Sequence, residues 1–78
     1  MFEAGRVVIS VAGHDGNWLY VVVEGEKDGY CLVANGKRKK LASPKRKNIL
    51  HLRATNILLN SYPTDRSLRK QLGELQNS

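Results

Sequence analysis

Short apolar blocks alternate with turn-forming segments along the first half of the chain. Residues 5–12, 18–25 and 29–36 are rich in valine, isoleucine and tyrosine, which favour β-strands. The segments between them, residues 13–17 and 26–29, contain the Gly, Asp and Asn residues typical of tight turns. The pattern therefore predicts three strands that follow one another through short turns.

Within the second block, side chains at successive positions should point to opposite faces of the strand. We expect Leu19, Val21 and Val23 to point inward, with Trp18 and Tyr20 on the other face. Two interpretations of these aromatic rings remain open. Either they cover the outside of the domain or a helix packed there, or they stack on the bases of a bound nucleic acid.

Two more strands are predicted after the third block. Asn35-Gly36 is a strong signal for a hairpin turn, so residues 37–42 should form the returning strand. Ser43-Pro44 should end that strand, because proline donates no hydrogen bond to a ladder. Residues 48–54 are apolar and short and predict a fifth strand. Strands at such regular intervals indicate a small closed barrel, in which few sheet edges stay exposed.

The last third of the chain changes to a helical period. Three leucines recur at i, i+4 and i+7, and these are Leu68, Leu72 and Leu75. Thr64 is the predicted N-cap of this helix. We therefore expect a barrel over residues 1–55, followed over residues 56–78 by a connector and a helix that is packed on the barrel or free.

Charge is distributed very unevenly. The 78 residues include 13 Lys and Arg against 7 Asp and Glu, a formal net charge of +6. Residues 1–34 carry a net charge of −3, residues 35–53 carry +8 without any acidic residue, and residues 54–78 carry +1. Such a concentration of positive charge is typical of a surface that binds a polyanion. The alternative is a solvated face that only keeps the protein soluble.

Other chemistry is weakly represented. Cys31 is the only cysteine, which excludes an intramolecular disulfide and fits a reducing compartment. The chain shows no signal-peptide pattern and no apolar run of membrane-spanning length, so we expect a cytoplasmic protein without membrane contact. His14 and Asp15 are explained by turn geometry without a catalytic role, and Cys31, His14 and His51 lack the spacing of zinc ligands. We expect no enzyme activity, cofactor or metal.

Two stretches carry a resemblance to a known family. Residues 5–23 read GRVVISVAGHDGNWLYVVV and resemble the KOW motif, with Gly5, Gly13 and Gly16 at its glycine positions. Residues 33–52, VANGKRKKLASPKRKNILHL, resemble the basic hairpin of the KOW-type ribosomal proteins of archaeal and eukaryotic large subunits. Bacterial chains of this length and layout look like a related group of KOW-domain RNA-binding proteins. The resemblance covers roughly residues 3–55. It implies a mainly-β, SH3-like five-stranded barrel and RNA as the usual partner, with protein as the partner of some members.

The basic segment is the predicted RNA contact, since a row of cations complements the regularly spaced phosphates of a nucleic acid. Both faces of residues 37–40 would be charged, so we expect this tip to project from the barrel. The predicted RNA-binding residues are Gly36, Lys37, Arg38, Lys39, Lys40, Lys45, Arg46, Lys47, Asn48 and Arg53.

Two hypotheses of function follow. In the first, the protein binds ribosomal or other structured RNA and associates with the ribosome or with translation factors, and Arg66, Arg69 and Lys70 extend its basic surface. In the second, it is a protein-interaction module whose barrel or leucine stripe docks on a translation or transcription factor. Neither hypothesis fixes an oligomeric state.

Overall fold

A single antiparallel sheet of five strands forms the frame of the protein, as seen in a computed structural model that describes residues 1–11 and 17–76. The strands are β1 (Arg6–Ser10), β2 (Leu19–Lys27), β3 (Tyr30–Ala34), β4 (Lys45–Asn48) and β5 (Leu52–Leu58). A 3₁₀ turn at Ile49–His51 precedes β5, and helix α1 (Asp65–Gln76) follows it. The strand order in space is β4-β3-β2-β1-β5. The predicted fold class, mainly β with five strands and a C-terminal helix, is confirmed.

The sheet curls around one interior, as in an SH3-like barrel. Its longest strand, β2, shifts register against β3 on either side of Glu24, and such irregularities bend a strand. Lys47 of β4 donates a hydrogen bond to Ser10 of β1, with Nζ and Oγ 3.0 Å apart. In a flat sheet these strands would lie about 14 Å apart, because two strands separate them. Among the described residues no ladder joins β4 to β5, so backbone hydrogen bonds do not close the barrel.

Both faces of the sheet are buried. The concave face packs Val8, Tyr20, Val22, Cys31, Val33 and Leu52 into one cluster. The convex face packs Val7, Val21 and Ala34 against Leu68 and Leu72 of α1. The predicted alternation along β2 is present, but the assignment of faces is wrong. Tyr20 points into the barrel and Val21 lies under the helix, because α1 makes the outer face as apolar as the inner one.

Helix α1 begins directly after Thr64, the N-cap that the sequence predicts. The Thr64 hydroxyl oxygen accepts a hydrogen bond from the Ser67 backbone nitrogen at 3.0 Å, which satisfies an N–H group of the first turn. Leu68 and Leu72 are buried against the sheet, and Leu75 packs beside them. The leucine stripe is therefore an internal contact of this protein.

Over residues 1–11 and 17–76, no helix has the length and apolar character needed to cross a bilayer.

The main error of the sequence-based prediction concerns residues 35–44. Residues 37–42 do not form a strand, and the strand that pairs with β3 is Lys45–Asn48. Asn35 is the reason, because its side-chain oxygen accepts hydrogen bonds from the backbone nitrogens of Lys37 and Lys39 at 3.0 and 3.1 Å. These bonds close a local turn that competes with strand pairing.

The fifth strand, predicted for residues 48–54, instead covers Leu52–Leu58. The Asn48 side chain accepts a hydrogen bond from the Leu50 backbone nitrogen at 2.9 Å and so caps the 3₁₀ turn. The strand therefore begins only after this turn, at Leu52. The strand continues past residue 55 into the segment predicted as a connector. Gly13, His14, Asp15 and Gly16 lie outside the described residues.

Candidate nucleic-acid interface

The basic loop, residues 35–44, begins with a tightly closed turn. The backbone nitrogens of Asn35 and Gly36 both donate to the Lys39 carbonyl oxygen, at 2.9 and 3.1 Å. Gly36 has a φ of +78°, in the left-handed region that favours glycine. The turn leaves the side chains of Lys37 and Arg38 exposed at its tip.

The basic loop lies against α1 and does not project from the barrel as predicted. Arg69 Nη1 donates to the Gly36 carbonyl oxygen at 2.7 Å, and Asp65 Oδ1 accepts from the Leu41 backbone nitrogen at 2.8 Å. A Cβ added to Gly36 would come within 2.5 Å of the Asp65 carbonyl oxygen, so loop and helix are in close contact. The prediction failed because the Arg69 and Asp65 side chains form hydrogen bonds with backbone groups of the loop. In a projecting loop, water would have to form those hydrogen bonds instead.

Two cations converge on one carbonyl oxygen in this contact. Lys40 Nζ lies 3.5 Å and Arg69 Nη1 2.7 Å from the Gly36 oxygen, so the two nitrogens are no farther apart than the sum, 6.2 Å. Like charges at this separation repel each other, and a bound anion would relieve that repulsion.

A groove of about 360 Å³ runs between the basic loop and the C-terminal half of α1. Its charged lining residues are Lys37, Arg38 and Arg69, and none of the described residues that line it is acidic. Trp18 and Leu72 supply an apolar part of the wall. The volume lies near the lower end of the range of small-ligand sites. The groove therefore combines basic and apolar lining residues.

Trp18 forms an aromatic surface at this groove. The indole is half-buried and packs against the barrel interior, which fixes the ring. The Arg38 guanidinium carbon lies 5.6 Å from the centre of the ring, near the outer limit of a cation–π contact. Such a contact at an exposed site contributes only about 0.5–1 kcal/mol. A base stacked on an aromatic ring contributes about 1–3 kcal/mol, so a base could displace the arginine.

Six cations of the basic loop and of the start of β4 form no ion pair within the described part of the chain. Ion pairs between described residues all involve Glu3, which lies 2.7 Å from Arg6 and 3.7 Å from the N-terminal amine. The hydrogen bond from Arg6 lowers the pKa of Glu3 to about 2. No carboxylate among the described residues forms an ion pair with the cations of the loop and of the start of β4, which are Lys37, Arg38, Lys39, Lys40, Lys45 and Arg46.

Other predicted contact residues lie outside the groove. The Arg46 guanidinium stacks on Tyr30, with its carbon 3.7 Å from the ring centre, and borders a second depression whose lining includes Glu24 and Asp28. Lys45 is half-buried opposite Val33 at the start of β4. Arg53 is exposed on β5. Of the predicted contact residues, Lys37 and Arg38 therefore line the groove, Arg46 lines a depression of mixed charge, and the others line neither.

Three predicted contact residues have roles within the fold. Lys47 is only 8% exposed, since its position opposite Cys31 directs the side chain into the barrel towards Ser10. Asn48 caps the 3₁₀ turn, and Gly36 is buried under α1. We leave these three residues out of the interface.

Among the lining residues that the predicted set omits, Trp18 supplies the aromatic ring and Arg69 a third cation. The signal for Arg69 is present in the sequence, because Arg69, Gly73 and Gln76 recur at helical spacing beside the leucine stripe. Only the tertiary structure shows that the side of the helix with Arg69, Gly73 and Gln76 lies next to the basic loop.

Within the described ranges no cluster of three His, Cys, Asp or Glu side chains could hold a metal ion. Compared with models of known protein families, the sequence matches none, and it matches no curated protein.

Proposed function

We propose that this protein binds structured RNA, ribosomal RNA included, through a basic face made of Lys37, Arg38, Lys40, Arg69 and Trp18. The observation that carries the proposal is the groove with three cations, one aromatic ring and no acidic lining residue among those described. Positive charge supplies affinity for phosphates, and an aromatic ring beside it is typical of single-stranded segments.

RNA is favoured over duplex DNA by the arrangement of the helix. The apolar stripe of α1 is buried on the sheet, and its groove side is covered in part by the basic loop. The helix is therefore poorly placed to enter a major groove, whereas RNA is commonly bound through its shape, backbone and unstacked bases. The resemblance to KOW-domain proteins supports RNA as the partner. The single cysteine, which is buried and free, supports a cytoplasmic location.

The test is a titration of a structured RNA hairpin, followed by fluorescence anisotropy at several KCl concentrations. Each neutralised phosphate releases counterions, so four cations predict a slope of log K against log salt of about −3. The double variant Lys37→Glu/Arg38→Glu should weaken binding by at least about tenfold and flatten this slope.

The matched control is Lys27→Glu/Lys70→Glu. It removes the same charge from two exposed lysines that do not border the groove, so it should change affinity by less than about threefold. Equal losses in both variants would indicate net charge alone and contradict the proposed face. A slope near zero would instead favour docking through an apolar surface, the protein-interaction hypothesis.

A further inference from the structure

Gly73 occupies a position where the fold does not require glycine. It lies inside α1, where glycine is less favourable than any residue except proline. A Cβ added at Gly73 would find no heavy atom within 4 Å. Internal packing therefore does not explain the missing side chain. Gly73 borders the groove, and the absence of a side chain keeps that wall of the groove open.

The lining of the groove fits a nucleotide better than a simple anion or an apolar peptide. Trp18 and Leu19, both half-buried, offer apolar surface for a planar base, Gln76 offers an amide, and three cations line the same groove. An inorganic anion would leave the apolar surface unused. An apolar peptide would leave three cations without partners.

Arg38 and Arg69 have donors available for a phosphate. Arg69 uses Nη1 for the Gly36 carbonyl oxygen, and its other guanidinium N–H groups have no partner among the described residues. Arg38 lies at the outer limit of its contact with Trp18, a weaker interaction than a base stacked on the ring. An incoming base would therefore release the Arg38 guanidinium for a phosphate oxygen.

We propose that the groove binds one unpaired nucleotide of an RNA, with its base against Trp18 and its phosphate bound by Arg38 and Arg69. This inference rests on the proposed RNA binding and makes it more specific. A base in a duplex is covered on both faces by its neighbours, so only a loop, bulge or end can present a free face to the indole. The expected target is a double-helical RNA stem with an unpaired nucleotide beside it.

Trp18 is the only tryptophan, so protein fluorescence reports on the groove. Three ligands are titrated at low salt: an RNA hairpin with an unpaired loop, a blunt RNA duplex with the same stem, and heparin, a polyanion without bases. The hairpin should quench Trp18, whereas the duplex and heparin should bind without quenching it.

Two substitutions at one position provide the matched pair. Alanine and leucine both favour a helix over glycine, so Gly73→Ala and Gly73→Leu should both raise the melting temperature. Of the two, only leucine is long enough to extend into the groove. Gly73→Leu should therefore weaken hairpin binding by about fivefold or more and abolish quenching, with Gly73→Ala much closer to wild type and duplex affinity unchanged in both.

The outcomes separate this inference from the proposed function. Salt-dependent hairpin binding without quenching, or with full affinity in Gly73→Leu, overturns the nucleotide site and leaves RNA binding intact. Equal quenching by heparin shows that the groove is an anion site only and also overturns the inference. Failure of all RNAs to bind overturns the inference and the proposed function together.

Discussion

At the scale of single residues, Asn35 and Gly36 decide where the basic charges lie. The Asn35 side chain closes the turn, and Gly36 supplies both a left-handed backbone and the carbonyl oxygen that accepts from Lys40 and Arg69. The dipeptide that predicted a hairpin therefore forms a turn against a helix. The positions of Lys37 and Arg38 follow from these two residues.

Gly36→Ala should destabilise the protein by about 1–3 kcal/mol, because φ is +78° and the new Cβ would come within 2.5 Å of the Asp65 carbonyl oxygen. Gly29→Ala is the control, since Gly29 has a similar φ of +84° and no atom within 4 Å of an added Cβ. Urea unfolding of both variants measures the difference. Equal losses would mean that the contact with α1 contributes nothing.

At the scale of elements, α1 covers the outer face of the sheet and also positions the basic loop. Its leucines bury the convex side of β1, β2 and β3, while Asp65 and Arg69 bond to the loop backbone. One helix therefore links the core to the candidate interface. Loss of its packing should disturb both.

Leu68→Ala tests this layer. Leu68 is 0% exposed, and truncation of a buried leucine costs about 2–5 kcal/mol of unfolding free energy. Leu75→Ala, at the half-buried end of the stripe, should cost clearly less. Thermal unfolding followed by circular dichroism compares the two. A similar small loss in both would show that α1 is not docked on the sheet.

The elements that the sequence predicted correctly are those whose signals are local. The strands β1 to β3 follow from β-branched blocks between turn residues, and α1 follows from its leucine stripe and from the Thr64 cap. The strand predicted at 37–42 is absent because the Asn35 side chain closes a local turn, and Asp65 and Arg69, more than 20 residues away, hold the resulting loop against α1. The charge count located the basic segment, and the sequence suggested base stacking by Trp18 and an extended basic surface through Arg69, but only the tertiary structure places both residues beside the loop.

At the scale of the whole molecule, the reactivity of the buried Cys31 thiol measures whether the small barrel interior stays packed. Cys31 is buried in the concave cluster. Burial raises the pKa of the Cys31 thiol, and the negative charge of Glu26 adds to this increase. The neutral thiol is favoured in the folded state, so stability should fall as pH rises from the ordinary thiol pKa through the raised one.

Cys31 should react slowly with an aromatic disulfide reagent at pH 8, because attack needs an exposed thiolate. The rate should rise with urea in parallel with unfolding seen by circular dichroism, and fully unfolded protein should react at the rate of a free peptide thiol. Rapid labelling without denaturant would contradict the packing of the concave cluster.

The closed turn at Asn35 also affects the chemical ageing of the chain. In flexible peptides, an asparagine before glycine loses ammonia when the next backbone nitrogen attacks its side-chain carbon. Here the Gly36 nitrogen donates to Lys39, and the Asn35 oxygen holds two other N–H groups, so neither reactant is free to reorient. Folding thus slows deamidation at this position, and a stored sample should acquire the extra negative charge mainly through its unfolded fraction.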